Sequence, residues 1–300
     1  MGSTARPAEN GNPLSFALVE GRLSAYRIVG PESHRSDAPV ILLLHGLGAA
    51  GNTYSAVASR LGRDCRLVIP DLLGSGRSAK PLIDYRPLEL ASHLDGLLEN
   101  LGLQGVDMVV GHSQGAAVAV ELCRLRSRDP ATRIARLVLI DPPPPSGVRW
   151  LRPVTGMPLG ARSAEIVSSL LPHRGLARLW LSFLYADRSQ ITDDILTGYT
   201  TGSAGRGYAA ATARALHSLA HLELRLEDAP PTALLWGAED KMFPPSLAEE
   251  WQARLPSSSL TVLPATGHCP HEEQPEAVAF AIREFLAREP NEAQRLAVSA

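Results

Sequence analysis

The sequence predicts an α/β protein with a mostly parallel sheet flanked by helices. Short apolar runs recur along the chain and are bounded by Gly, Pro or Asp, which is typical of strands buried on both faces of a parallel sheet. Helix-like segments lie between most of these runs, and this alternation indicates a doubly wound α/β domain. With 300 residues, 45% of them hydrophobic, the chain is long enough to bury a substantial core.

The predicted sheet begins with an antiparallel hairpin over Leu14–Val29, where apolar and polar residues are mixed and Gly21 lies near the centre. The later strands are short apolar runs without alternation, as expected for a buried sheet. They are predicted at Val40–Leu44, Leu67–Ile69, Val106–Val110, Leu137–Ile140, Ala233–Trp236 and Leu260–Leu263. Helices are predicted at Tyr54–Leu61, Leu88–Leu101, Gly115–Arg126, Ser246–Leu255 and Pro275–Arg288.

The alternation stops between Pro142 and Ala229. This segment opens with four consecutive prolines, which cannot form a helix interior, and it has no strand-like run. Its helix-like stretches are Ala164–Leu171, Gly175–Tyr185 and Arg206–Leu226. Because the α/β pattern resumes at Thr232, we predict an insertion on top of the sheet rather than an independent domain. The expected organisation is a disordered tail at 1–12, a core at 13–141 and 230–289, a helical cap at 142–229 and a tail at 290–300.

Charge and composition exclude several function classes. The 29 basic and 31 acidic residues give a net charge of −2, so there is no basic excess to bind nucleic acid or an anionic membrane. The longest aliphatic run, Val40–Leu44, is too short to span a bilayer. Three cysteines predict no disulfide framework, and the polar N-terminal residues lack a signal-peptide core, so we expect a cytoplasmic protein. The expected partner is a small apolar molecule, and the sequence leaves the oligomeric state open, including a homodimer.

The strongest motif is the pentapeptide GHSQG at positions 111–115, which follows one predicted strand and precedes a predicted helix. Gly-x-Ser-x-Gly between a strand and a helix is the nucleophile-elbow pattern. The turn is sharp and strains the serine backbone, and side chains at 111 and 115 would collide with the neighbouring strand and helix. Ser113, the predicted nucleophile, then lies at a helix N-terminus, which favours developing negative charge.

A serine hydroxyl needs a base, and His268 is the predicted one. It lies in the loop after the strand Leu260–Leu263, where a catalytic imidazole fits in an open α/β sheet. His271 is the close alternative, but Pro270 and Glu272 beside it indicate the entry to a helix.

The imidazole in turn needs an acid that orients it, and Asp240 follows the strand Ala233–Trp236. Glu239 is the neighbouring alternative. Asp141 ends another strand and could also face the site, although capping the turn before the prolines is the favoured role for it. The chain order serine, aspartate, histidine is that of α/β hydrolases rather than of the two common protease types.

Acyl transfer also needs an oxyanion hole. One predicted donor is the backbone N–H of Gln114, directly after the nucleophile. The other is the N–H of Leu47 in the loop HGLG at 45–48, where flanking glycines let the backbone turn towards a ligand.

The remaining histidines and Cys269 are weaker candidates. His217 and His221 lie four apart on a helix-like stretch, but no cysteine or acidic motif completes a metal site there, so a solvated or pocket-lining face is favoured. The predicted serine-based reaction requires no metal and no organic cofactor. Cys269 follows the predicted base and either packs the loop or makes the protein sensitive to thiol reagents.

Together these pieces resemble the α/β-hydrolase fold family, over nearly the whole chain from Leu14 to Arg288. The resemblance rests on the loop 45–48, DLLGSGRS at 71–78, the pentapeptide 111–115, WGAED at 236–240 and GH at 267–268 followed by EQPE at 273–276. It implies an eight-stranded, mostly parallel sheet with an antiparallel second strand and a helical lid after the sixth strand. Members that open epoxides or displace halide carry Asp at the elbow, so Ser113 argues against both activities. Esterases, lactonases, thioesterases, amidases, carbon–carbon bond hydrolases and perhydrolases remain.

The cap carries a strongly apolar stretch between Leu170 and Tyr185, part of which we expect to line a cavity between cap and sheet. The residues predicted to contact the substrate are His45, Gly46, His112, Trp180 and Leu184, although the motif glycines beside His45 and His112 favour structural roles for those two. Arg174 and Arg178 could bind a substrate carboxylate, but solvated surface is the favoured interpretation.

The sequence thus predicts a serine hydrolase that cleaves a small or medium, largely apolar ester, lactone or thioester through an acyl-enzyme. The alternative is a fold relative that breaks carbon–carbon bonds or acts without net hydrolysis, as a lyase, cyclase or acyltransferase. A non-catalytic ligand receptor is disfavoured by the intact set Ser113, Asp240 and His268.

Overall fold

An eight-stranded sheet forms the centre of the computed structural model, which describes residues 13–31, 38–155, 166, 173–203 and 205–288. The strands are β1 (Ser15–Val19), β2 (Arg22–Val29), β3 (Val40–Leu44), β4 (Arg66–Pro70), β5 (Val106–His112), β6 (Ile134–Ile140), β7 (Thr232–Gly237) and β8 (Ser259–Leu263). Their order across the sheet is β1-β2-β4-β3-β5-β6-β7-β8. Strand β2 is antiparallel to both of its neighbours, and every other pair is parallel, as the family resemblance implies.

Helices connect most of the strands. Those of the described residues are α1 (Ser55–Leu61), α2 (Pro87–Asn100), α3 (Gln114–Arg126), α4 (Arg152–Thr155), α5 (Arg174–Leu184), α6 (Asp193–Gly202), α7 (Tyr208–Ala220), α8 (Ala248–Arg254), α9 (Pro270–Glu273) and α10 (Pro275–Ala287). None of these helices has the length and apolar character needed to cross a bilayer.

Two apolar cores lie on opposite faces of the sheet. Alternate residues of one strand enter opposite cores: Ile41 and Leu43 of β3 pack with α1 and α10, whereas Leu42 and Leu44 pack with α2, α3 and α8. A period of two is the side-chain period of a strand. Burial on both faces therefore explains why the predicted strands read as continuous apolar runs.

The predicted strands, and the predicted helices outside the segment between β6 and β7, are found with small shifts at their ends. The largest shift at the site is in β5, which continues past Val110 to His112, so that the first two residues of the pentapeptide belong to the strand. The turn of the predicted hairpin is at Glu20–Gly21, between β1 and β2.

The described residues between β6 and β7 form helices and no strand. The predicted helix Gly175–Tyr185 corresponds to α5, and the predicted helix Arg206–Leu226 is shorter, ending at Ala220 as α7. The sequence did not reveal α6, whose N-cap Thr192 accepts a hydrogen bond from the N–H of Ile195. The predicted helix Ala164–Leu171 lies outside the described residues, apart from Ile166.

Candidate active site

Ser113 lies in the tight turn between β5 and α3, with φ of 51° and ψ of −119°. A positive φ is costly for a residue with a β-carbon and persists only where the surrounding structure enforces it. The N–H of Ser113 donates to the carbonyl of Ile140 at 2.9 Å, which ties the turn to the neighbouring strand β6. The strained backbone predicted for this serine is therefore present.

The two glycines of the pentapeptide leave room for this turn. A β-carbon on Gly111 would overlap the backbone of Gly115 and Ala116 in α3. A β-carbon on Gly115 would overlap the carbonyls of Leu44 and His45 at the end of β3. Helix α3 thus packs against β3 and β5 at a distance that only glycine permits, as expected from the sequence.

Ser113, His268 and Asp240 form one hydrogen-bonded chain. The Ser113 Oγ lies 3.1 Å from Nε2 of His268, and Nδ1 of His268 lies 2.7 Å from Oδ2 of Asp240. A carboxylate only accepts hydrogen bonds, so Nδ1 carries the imidazole proton and Nε2 is free to accept the serine proton. All three residues are buried, at 8%, 4% and 4% exposure, which shields their hydrogen bonds from water.

Backbone groups hold Asp240 in place. Its Oδ1 accepts hydrogen bonds from the N–H groups of Met242 at 2.7 Å and Phe243 at 3.0 Å, which leaves Oδ2 for His268. The ring of Phe243 packs edge-on against the imidazole, with centroids 5.3 Å apart. The neighbouring alternative acid, Glu239, is exposed and is not part of this chain.

Asp141 also faces the site, at the end of β6. Its backbone has φ of 42° and its side chain is fully buried. Oδ1 accepts from the N–H of Gly237 at 2.9 Å, whereas Oδ2 has no hydrogen-bond partner among the described residues. Burial raises the pKa of Asp141 well above its ordinary value, and the nearby charge of Asp240 raises it further. The carboxyl group of Asp141 is therefore harder to ionise than an ordinary aspartate.

His112, Asp141 and His268 are the one set of side chains among the described residues that comes close enough to share a metal ion, with ligand atoms within 4.8 Å of one another. Both ring nitrogens of His268 are already bonded, to Ser113 and to Asp240. The set is thus part of the surroundings of His268, and we assign no ion to it.

The loop at 45–48 passes directly over the nucleophile. A β-carbon on Gly46 would lie 3.2 Å from Cβ of Ser113 and 2.8 Å from Nδ1 of His112, so glycine permits this approach. In the described part of the chain, no acceptor pairs with the N–H of Leu47 or with the N–H of Gln114 at the start of α3. Two free donors beside a serine are what an oxyanion hole requires.

His45 and His112 support the loops around the serine. Nε2 of His45 accepts from the N–H of Leu72 at 3.0 Å, and Nδ1 donates to the carbonyl of Gly46 at 2.8 Å, so a contact of His45 with a substrate would have to use its backbone. Nε2 of His112 donates to the carbonyl of His268 at 2.7 Å. Burial lowers the pKa of both imidazoles, and for His112 the neighbouring His271 and His268 lower it further.

His271, the alternative base, lies on α9 behind the site. Its ring packs at a tilt against those of His112 and Tyr54, with centroids 4.4 and 4.7 Å away, and it is 1% exposed. Burial lowers the pKa of His271 to about 3, with the nearby imidazoles His268 and His45 adding to the effect. A neutral packed ring without a bond to Ser113 does not act as its base.

The residues predicted from the apolar stretch differ in their placement. Leu184, the last residue of α5, is 6% exposed and packs with Leu181 and Cys269 in a small cluster beside the site. Trp180 is 40% exposed, and its ring contact is with Phe183 on the same helix. The structure therefore brings Leu184, but not the Trp180 ring, close to the loop of His268.

The two arginines of α5 bind the neighbouring helix. Arg174 donates to Asp193 Oδ1 at 2.7 Å and to Thr197 Oγ1 at 2.9 Å, and Arg178 donates to the carbonyl of Ile191 at 3.3 Å. Both arginine side chains are half exposed, which agrees with the interpretation that they belong to the protein surface. His217 and His221 stack with centroids 4.5 Å apart, and each Nδ1 faces a backbone carbonyl.

Sequence reasoning missed the supports of the His268 loop. The N–H of His268 donates to the carbonyl of Leu184 at 2.7 Å, and the carboxylate of Glu273 accepts from three backbone N–H groups around the loop. The first contact involves a backbone carbonyl and has no side-chain signature. Glu273 had one signal, its place in the motif EQPE five residues after the histidine.

Known proteins share both the sequence pattern and the fold of this chain. A model of the Alpha/beta hydrolase family matches residues 41–281. An uncharacterized protein of Mycobacterium tuberculosis is 27% identical over 309 residues, covering 98% of this chain and 88% of that protein. RutD of Pseudomonas syringae pv. syringae, whose name proposes a carbamate hydrolase, is 26% identical and covers 85% of this chain and 96% of its own length. The structure of a thermophilic esterase from Thermogutta terrifontis superposes with a TM-score of 0.70 at 24% identity, covering 93% of this chain and 98% of the esterase.

Proposed function

Because the chain belongs to the alpha/beta hydrolase family, we propose that it is a serine hydrolase acting through an acyl-enzyme, with Ser113, His268 and Asp240 as its catalytic triad. Its proposed substrate is a small or medium, largely apolar ester, lactone or thioester. The observation that carries the proposal is the hydrogen-bonded chain from Ser113 Oγ to His268 Nε2 and from His268 Nδ1 to Asp240.

In the acylation step, Oγ of Ser113 attacks the substrate carbonyl carbon while Nε2 of His268 takes the hydroxyl proton. Asp240 stabilises the imidazolium that forms, without taking its proton. The carbonyl oxygen becomes negative and accepts hydrogen bonds from the N–H groups of Leu47 and Gln114. Each donor of this kind is worth roughly 3–4 kcal/mol in the transition state.

The tetrahedral intermediate then collapses. The bond from the carbonyl carbon to the leaving oxygen or sulfur breaks, and His268 returns its proton to that atom. In deacylation a water molecule gives a proton to His268 and attacks the acyl carbon. The second intermediate releases the carboxylic acid and restores the serine hydroxyl, so that no further reactant is consumed.

The apolar substrate class is supported by the segment between β6 and β7, which we propose to be a lid over the site. Its helix α5 places Leu184, packed with Leu181, at the His268 loop, and α5 has no acidic residue. The net charge of −2 agrees with recognition by apolar shape. The name of the relative RutD adds carbamates to the substrates worth testing.

A fluorophosphonate probe tests the proposed nucleophile. We expect the intact protein to gain the mass of one phosphonyl group, located on Ser113 by peptide mapping. The matched control is Ser113→Ala, which should gain no mass. Absence of labelling in the native protein, or equal labelling of the variant, would refute the mechanism.

A substrate panel tests the reaction. Esters, lactones, thioesters and carbamates of graded acyl length are assayed in water enriched in 18O, beside Ser113→Ala. The proposal expects one heavy oxygen in the released acid and no turnover by the variant. Turnover without incorporation of the heavy oxygen would instead favour a lyase, cyclase or acyltransferase.

A further inference from the structure

Glu273, the last residue of α9, binds three backbone N–H groups with one carboxylate. Its Oε1 accepts from Gly267 at 3.0 Å and from Cys269 at 3.1 Å, and its Oε2 accepts from Gly267 at 3.0 Å and from Ala186 at 2.8 Å. The side chain is 7% exposed. Hydrogen bonds from backbone N–H groups to a buried carboxylate are charge-assisted and short of competition from water, so this arrangement is rigid.

Two of these three donors flank His268 in sequence, and the third, Ala186, comes from the segment that follows α5. Gly267 and Cys269 are the residues directly before and after the histidine, so Glu273 fixes the backbone on both sides of it. The N–H of His268 itself donates to the carbonyl of Leu184 at 2.7 Å, and the carbonyl of His268 accepts from His112 at 2.7 Å. Any movement of the loop backbone would therefore break at least one of these hydrogen bonds.

The close packing of the loop points the same way. A β-carbon on Gly267 would overlap the carbonyl of Leu184 and lie 2.7 Å from the N of Ala186, and a β-carbon on Gly237 would overlap the carbonyl of Gly267. The loop is therefore enclosed between the end of β7 and the residues that follow α5. Glu273 accepts hydrogen bonds from both sides of this contact, from Gly267 and Cys269 in the loop and from Ala186 after α5.

Burying a carboxylate is costly unless it is paired. Burial raises the pKa of Glu273, whereas its bonds to Ala186, Gly267 and Cys269 and the charge of protonated His268 act in the opposite direction. The carboxylate of Glu273 is thus buried together with the three N–H groups that compensate its charge.

We propose that Glu273 is a positioning residue, which holds the imidazole of His268 between Ser113 and Asp240 and joins its loop to the end of α5. This inference rests on the proposed serine hydrolase function, because the geometry it maintains is that of the reacting chain. A displacement of about 1 Å in a catalytic group can cost on the order of a hundredfold in rate, so support of this kind has a measurable effect.

The test compares Glu273→Gln with Glu272→Gln. Glutamine keeps the shape of residue 273 but replaces one accepting oxygen by an NH2 group that faces N–H donors. Glu272 is a partly buried glutamate on the same short helix, and its carboxylate accepts from the Tyr199 hydroxyl rather than from backbone N–H groups, so it controls for loss of a neighbouring carboxylate. We expect Glu273→Gln to lower kcat by roughly 10- to 100-fold with KM nearly unchanged, and Glu272→Gln to leave kcat unchanged.

Two further measurements separate positioning from folding. Hydrogen exchange should accelerate at Gly267, Cys269 and Ala186 in Glu273→Gln and not in Glu272→Gln. The NMR signal of the His268 Nδ1 proton should broaden or disappear in Glu273→Gln alone. If Glu273→Gln does not fold, Glu273→Asp keeps the charge but is one methylene too short to reach all three donors, and the same loss in kcat is expected from it.

The outcomes distinguish this inference from the proposed function. Unchanged kcat in Glu273→Gln, together with faster exchange at the three amides, would make Glu273 merely structural and overturn the inference. Failure of the fluorophosphonate to label Ser113 in the native protein would overturn the proposed function instead. In that case the His268 proton signal decides: its persistence in Glu273→Gln refutes positioning, and its selective loss supports it.

Discussion

The hydroxyl of Tyr199 on α6 donates a 2.7 Å hydrogen bond to Oε2 of the partly buried Glu272 on α9. Burial raises the pKa of Glu272 to about 7 and the nearby Glu273 adds to the rise, while the hydrogen bond from Tyr199 acts against it. The contact between the segment after β6 and the core thus contains a carboxyl group that is close to half-protonated at neutral pH.

This carboxyl group should make the stability depend on pH. The pKa of Glu272 is about 7 in the folded protein against an ordinary 4.5, so between these values the folded state holds a proton that the unfolded state has lost. Stability therefore falls as pH rises through this window. Glu272→Gln mimics the protonated form, and its stability relative to the native protein should rise by roughly 2–3 kcal/mol from pH 5 to pH 8.

Urea unfolding at pH 5, 6.5 and 8 measures this difference. Glu249→Gln, on an exposed position of α8, is the control and should show no such trend. A constant difference between Glu272→Gln and the native protein at all three pH values would contradict the assignment.

The two aspartates at His268 should respond differently to the same substitution. Asp240 accepts a hydrogen bond from Nδ1 of His268, so Asp240→Asn disturbs the tautomer and should lower kcat by about 10²- to 10⁴-fold. The raised pKa of Asp141 disfavours its ionised form, and an amide can still accept from the N–H of Gly237. Asp141→Asn should therefore leave kcat nearly unchanged. Both variants are compared with the native protein in steady-state rates and in the rate of fluorophosphonate labelling. Equal losses of kcat in the two variants would show that Asp141 and Asp240 share the role of orienting His268.

The elbow should not tolerate a methyl group at position 115. Gly115→Ala would press its β-carbon into the carbonyls of Leu44 and His45, so we expect a loss of about 2–3 kcal/mol in the free energy of unfolding, together with loss of labelling at Ser113. Gly105→Ala is the matched control, because nothing lies within 4 Å of its β-carbon. The comparison is made by urea unfolding, and similar stability of the two variants would mean that the packing of α3 on β3 is looser than described.

Cys269 should be inert despite its place beside His268. It is fully buried, and burial raises the pKa of its thiol well above the ordinary value, with Glu272 and Glu273 adding to the effect. Cys65 and Cys123 are free and buried as well. We expect iodoacetamide to add no mass to the native protein within the time of an activity assay and to leave activity intact, but to modify three thiols in denaturant. Inactivation with a single modification at Cys269 would show that the loop opens.

Several parts of the fold and the site could be predicted from sequence because they depend on local patterns. Strands such as Val40–Leu44 are visible since both of their faces are buried, and the residues of the proposed triad each follow a strand end. The positive φ of Asp141 has no local signal, because it results from packing at the end of β6. The same holds for the bond between Leu184 and His268, in which a backbone carbonyl distant in sequence completes the loop. Patterns of side chains predict where reactive groups emerge, whereas backbone contacts between distant segments need coordinates.

The hydrogen bonds between the His268 loop and the end of α5 also limit which segments of this protein can be exchanged with those of a homologue. Exchanging residues 142–229 as one unit, to transplant specificity from a homologue, would replace Leu184 and Ala186, whose carbonyl and N–H bind His268 and Glu273, together with the proposed lid. A crossover placed before Leu184 would leave both groups in the host. Substitutions between residue 142 and Leu184 can therefore be used to change substrate specificity. The residues from Leu184 onward are better kept together with the core.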